Sequence, residues 1–77
     1  MSKSDRVAVW FNSLGVCQHC GKAIEYLGVW DNDHVLPKSK GGSNGLENRQ
    51  MLCAKCNRSK GALDDEIAKA RVRDRDL

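Results

Sequence analysis

The alternation of apolar and polar positions divides the 77-residue chain into short elements. Val7, Trp10, Phe11 and Leu14 recur at i, i+3, i+4 and i+7, which predicts an amphipathic helix over residues 5–14, capped by Ser4 and stopped by Gly15. At that spacing Trp10 and Phe11 read as core residues of a helix packed over a metal centre, rather than as base-stacking aromatics. The runs Ile24 to Leu27 and Val29 to Asp33 have strand composition, with Gly28 between them and Pro37 ending the second. Lys38 to Gly45 reads as a flexible, turn-rich loop and Arg49 to Leu52 as a returning strand. A helix opening near Cys53 carries Asn57, Arg58 and Lys60, and a last helix from about Ala62 places Leu63, Ile67 and Ala70 on one face. With no repeat and no linker, residues 1–77 are expected to form one domain of the small α+β class.

A chain this short buries too little apolar surface to hold itself together comfortably, so a staple is expected. Cys17, Cys20, Cys53 and Cys56 supply one: two C-x-x-C knuckles separated by 32 residues. No basic start followed by an apolar run marks an export signal or a membrane span, and a reducing, cytoplasmic compartment is expected. Thiolates there hold metal in preference to forming disulfides, and four of them complete the tetrahedral shell of zinc, leaving no open position. The zinc is therefore read as structural. His19, inside the first knuckle, is then read as exposed. Four ligating thiolates and one zinc ion take the formal charge from +3 to +1, so the distribution of charge matters more than its sum. Lys38, Lys40, Arg49, Arg58 and Lys60 lie together in sequence, ahead of Asp64, Asp65 and Glu66, and predict a phosphate-binding face.

The segment between the knuckles exceeds the roughly 15–20 residues usual in a zinc ribbon. It contains Asp31-Asn32-Asp33-His34, Pro37, a glycine-containing loop and Asn48, and Asn57 follows the last cysteine directly. Phosphodiester hydrolysis needs an activated water and stabilisation of charge on the phosphoryl and leaving oxygens. A neutral imidazole such as that of His34 can take the proton from water, and a hard divalent cation such as Mg²⁺ or Mn²⁺ would bind a carboxylate and an amide oxygen, as offered by Asp33 and Asn57. Asn48 could accept from one imidazole nitrogen and fix the tautomer. Asp31 would share the face of Asp33 in a regular strand and stays open as an alternative ligand. Asp33 and His34, as neighbours, converge only if the strand ends or bulges there. Trp30, beside them, reads as a core residue.

Taken together, D-x-D-H-V-L-P-K-S-K-G-G, L-E-N-R and L-C-x-x-C-N-R-S-K resemble the HNH endonuclease family, over about residues 17–61, in its HNN variant. The arrangement of Asn57 directly after the last zinc cysteine looks like the recombination endonuclease VII group. The resemblance implies a ββα-metal fold and DNA cleavage leaving 5′-phosphate and 3′-hydroxyl ends. By position it implies Asp33 and Asn57 as ligands of one catalytic divalent metal, His34 as general base and Asn48 as the residue orienting it. DNA is the implied partner, held through phosphates with low sequence specificity and strong salt dependence. A homodimer or a larger partner that supplies specificity stays open. A phage or bacterial defence setting fits by analogy. The rival reading is a non-catalytic zinc-finger module that binds nucleic acid or protein.

Overall fold

The computed structural model describes residues 3–76, with side chains through residue 74; residues 1, 2 and 77 of the expected domain lie outside the described residues. The chain runs α1 (Lys3–Asn12), β1 (Asp31–His34), β2 (Arg49–Leu52), α2 (Ala54–Lys60) and α3 (Asp65–Asp76), with 3₁₀ turns at Lys38–Lys40 and Leu46–Asn48. The strands pair antiparallel, Asp31 opposite Leu52, Asp33 opposite Gln50 and His34 opposite Arg49. This is the small α+β architecture expected, with the four cysteines brought together.

The two-stranded ladder separates two small cores. Successive strand residues face opposite ways, so Leu52 joins Cys17, Cys56 and Val72 on one side, while Met51 joins Val9 and Trp30 on the other. Gln50, Met51 and Leu52 are all buried. The outer edge of β2 is covered too: the Met51 amide donates to Ser13 Oγ at 3.0 Å, and the Met51 carbonyl accepts from the Gln18 amide at 3.0 Å. Val9, Met51, Leu52 and Val72 are among the few side chains fully buried, so the cysteine cluster has to supply part of the stability of a chain this short.

Three expectations change. First, α1 packs on β2 and the aromatic core rather than on the cysteines; its inward face is Val9, Trp10 is half-buried, and Phe11 and Leu14 are 65% and 85% exposed. Apolar residues surround this helix on several sides, so more than one stripe fitted the pattern. Second, Ile24 to Trp30 forms no strand. A single bridge pairs Val16 with Ala23, and two indole N–H groups fix the segment, Trp10 Nε1 donating to the Ile24 carbonyl at 2.8 Å and Trp30 Nε1 to the Tyr26 carbonyl at 2.9 Å. Trp30 is buried as expected, with the Arg6 guanidinium 3.7 Å from its ring centroid. Third, α3 turns Ala68 and Val72 inward and leaves Ile67 48% exposed. That rotation brings Asp65, in its first turn, into the interior. No helix among the described residues is long and apolar enough to cross a membrane.

Candidate active site

The four cysteine sulfurs lie within 4.8 Å of one another, and Cys20 Sγ and Cys53 Sγ are 3.9 Å apart. Tetrahedral Zn–S bonds of about 2.3 Å put sulfurs about 3.8 Å apart, so the cluster has the dimensions of a zinc site. All four thiols are free. The first knuckle closes through the Cys17 amide to the Lys22 carbonyl and the Gly21 amide to the Cys17 carbonyl, both 2.8 Å. The second caps α2: Cys53 Sγ accepts from the Cys56 amide at 3.4 Å. Burial raises the Cys17 thiol, but the amides of Cys20, Cys53 and His19 outweigh it and bring the group to about 7. Burial pushes the Cys20 and Cys56 thiols up.

On the cysteine side of the ladder a buried polar network reaches β1. Asp33 Oδ2 accepts from Lys60 Nζ at 2.5 Å and from Gln50 Nε2 at 3.0 Å. The same ammonium donates to the carbonyls of His34 at 2.6 Å and Val35 at 3.0 Å, and Lys60 is only 1% exposed. Gln50 Nε2 also reaches Asp65 Oδ1 at 2.7 Å, and so does His19 Nε2, at 2.7 Å. Burial works against the Asp65 carboxylate, yet hydrogen bonds from Gln50 and His19 and the charges of His19 and Lys60 hold it below the ordinary carboxylate value. A chain of contacts thus joins the first knuckle, α3, β2, α2 and β1.

β1 ends at His34, and its last two side chains part to opposite faces, as an unbulged ladder requires. Asp33 enters the network, while His34 Nε2 meets Asn44 Oδ1 at 2.9 Å. As oriented, Nε2 carries the hydrogen and Nδ1 keeps the lone pair. The loop that presents Asn44 is stapled by Asn48, whose Oδ1 accepts from the Leu36 amide at 2.8 Å and whose Nδ2 donates to the carbonyls of Leu36 at 3.0 Å and Ser43 at 2.9 Å. Only glycine fits at position 42, where a Cβ would lie 1.8 Å from the Leu36 carbonyl oxygen.

A profile of the HNH endonuclease family matches residues 17–71, well over half of the chain. The chain belongs to the HNH endonuclease family. Among curated proteins none matches it.

Against the HNH pattern, several expected positions stand elsewhere than the sequence suggested. Lys60, expected on the phosphate-binding face, is buried against Asp33, because α2 turns it toward β1 and two backbone carbonyls complete its shell. His19, expected to be exposed, has a fully buried side chain paired with Asp65. Asn48 holds the loop rather than the His34 ring; Asn44 is the ring's partner. The Lys38 to Gly45 loop is a tied structure containing a 3₁₀ turn, not a loose one. Lys40 pairs with Asp64 at 2.7 Å on the surface, Lys38 is exposed, and Arg49 approaches Asn44 at 3.4 Å. Arg58 is exposed and, with Lys22 and Lys55, lines a groove of about 780 Å³ that Cys20, Cys53 and Cys56 also line. Asp31 shares the face of Asp33, opposite Leu52, but takes no part in the network.

A divalent cation at the end of β1 would need hard oxygen donors, and Asp33 and Asn57 could supply them. Among the described residues Asp33 Oδ1 accepts no hydrogen bond, and the Asn57 side chain makes none. Asn57 precedes Lys60 by one turn, so it sits on the same strip of α2. Asp33 and Asn57 are both hard oxygen donors of the kind a divalent cation takes.

Proposed function

We propose that this protein is a metal-dependent DNA endonuclease that hydrolyses phosphodiester bonds with low intrinsic sequence specificity. The observation that carries the reading is the Lys60 contact with Asp33. It holds α2, which carries Asn57, against Asp33 and the His34 backbone at the end of β1. Asp33 and Asn57 would hold the divalent ion, Mg²⁺ or Mn²⁺, which when bound supplies Lewis-acid stabilisation of charge on the phosphate and the leaving 3′ oxygen. His34 is the general base: its Nε2–H donates to Asn44 Oδ1, and Nδ1 removes the proton from the attacking water. Asn48 keeps Asn44 in place through the loop. Products would carry 5′-phosphate and 3′-hydroxyl ends.

Lys38, exposed in the loop after β1, and Arg49, opposite His34 in the ladder, would neutralise phosphates, contacts that position DNA without reading it. α2 buries Cys56 and Lys60 on its inward face, packed against both strands. Cys17, Cys20, Cys53 and Cys56 hold zinc as the scaffold.

The test is plasmid nicking by the zinc-loaded chain in MgCl₂ or MnCl₂, compared with His34→Ala. General-base loss predicts a fall of about 10²-fold or more. If native protein and variant cut equally poorly on supercoiled, nicked, branched and single-stranded DNA, the chain is a zinc-stabilised binding module instead.

A further inference from the structure

Asp33 is gripped by one oxygen. Its Oδ2 takes the Lys60 ammonium and the Gln50 amide together, while Oδ1 is left without a donor among the described residues. Neither donor can easily leave. The Lys60 ammonium is enclosed, with the His34 and Val35 carbonyls and, at 3.4 Å, Asp65 Oδ1 around it. Gln50 is buried and its Nε2 is shared between Asp33 and Asp65. Rotating the carboxylate would leave a buried ammonium and a buried amide short of an acceptor, the costly outcome in an interior.

We propose that Lys60, assisted by Gln50, determines which divalent ion this site accepts, by confining Asp33 to coordination through Oδ1 alone. Resting on the assignment of Asp33 as a metal ligand, the inference assigns Lys60 a positioning role rather than a contact with DNA. The reason is ligand geometry. Ca²⁺ favours six to eight oxygens and readily takes a carboxylate by both, whereas Mg²⁺ and Mn²⁺ accept octahedral shells with one oxygen per carboxylate and water filling the rest. A carboxylate with one oxygen already occupied therefore handicaps Ca²⁺ more than Mg²⁺. The positive charge of Lys60 repels both dications alike, so it cancels in the ratio of their affinities. The shape of the grip does not cancel.

The experiment uses the zinc-loaded full chain without DNA. Binding of Mn²⁺ is followed by the electron paramagnetic resonance signal of the free ion, and bound Mn²⁺ is displaced with MgCl₂ or CaCl₂. For Lys60→Met, which frees Oδ2, Ca²⁺ should gain on Mg²⁺ by about ten-fold relative to the native chain. Lys60→Arg, which can still donate to Oδ2, should restore the native ratio to within about three-fold. Gln50→Leu should shift the ratio the same way as Lys60→Met but less. A Ca²⁺ to Mg²⁺ ratio that stays within about two-fold of native in zinc-replete Lys60→Met overturns the inference. Should that variant lose zinc, an unchanged ratio in Gln50→Leu overturns it instead. Asp33→Asn separates the two levels. If it leaves Mn²⁺ binding intact, or the native chain binds no Mn²⁺ at millimolar concentration, the ligand assignment itself falls. If Asp33→Asn abolishes binding while Lys60→Met leaves the ratio unmoved, only the role of Lys60 falls.

Discussion

Replacing Asn48 by alanine separates two ways in which this residue could serve the site. If it orients His34 directly, its loss damages the imidazole and little else. The structure has it instead making three hydrogen bonds to the backbone of its own loop, two to Leu36 and one to Ser43. Each is worth about 0.5–1.5 kcal/mol net, and in this half-buried setting the lower half of that range applies, giving about 1.5–3 kcal/mol for the set. The loss falls on the loop, because the strands, both cores and the cysteine cluster contain none of these bonds. The Leu36 amide and its neighbours should then exchange hydrogen roughly 10–100-fold faster, while the Met51 and Leu52 amides keep their protection. Cleavage should fall because Asn44, which holds His34, is carried on the loosened segment. Asn44→Ala is the matched control: it should reduce cleavage and leave exchange at Leu36 unchanged. An Asn48→Ala chain that cuts poorly but shows native exchange at Leu36, or an Asn44→Ala chain with full activity, refutes the staple.

Three further outcomes follow from the same contacts. Stripping zinc with a chelator should remove cleavage and most helical circular dichroism together, and zinc without other additions should restore both; a zinc-free chain that still cuts would contradict the dependence. Asp65→Asn should cost about 1.5–3 kcal/mol at neutral pH, by urea unfolding, since it weakens charged hydrogen bonds to His19 and Gln50. Because the folded Asp65 carboxylate titrates below its ordinary value, its contribution is complete above that value and is lost as the pH falls through the folded one, so the gap between wild type and variant should close in acid. Gly42→Ala should disable cleavage with zinc content intact, as its Cβ would collide with the Leu36 carbonyl oxygen and force the loop open; an active variant with native loop exchange would count against it.

The parts legible from sequence were those fixed by local spacing. The cysteine knuckles, the returning strand at Arg49–Leu52 and the helix carrying Asn57 each follow from a few neighbouring residues. What escaped depends on partners distant in sequence. A lysine in a charged stretch reads as solvated, and only the meeting of α2 with β1 gives Lys60 an acceptor 27 residues away. His19 looked superfluous in a filled zinc shell, because its acceptor, Asp65, comes 46 residues later on a helix whose apolar pattern pointed to the Leu63, Ile67 and Ala70 face instead. Gln50 offered a usable sign: a polar residue in an otherwise buried strand needs a partner inside. Asn44 offered little, since Asn before Gly in a loop is ordinary turn chemistry.

Cys53 is both a ligand of the cysteine cluster and the cap of α2. A seven-residue helix does not persist in water unaided, so the order in which the chain is made becomes relevant. Asp33 and His34 are synthesised well before Cys53 and Cys56. Until the last knuckle emerges and captures its ion, the newborn chain carries Asp33, His34 and Asn48 but no helix to set Asn57 against them. The supply of zinc to new chains would then set how many become nucleases. Before metallation, each would be harmless to the DNA around it.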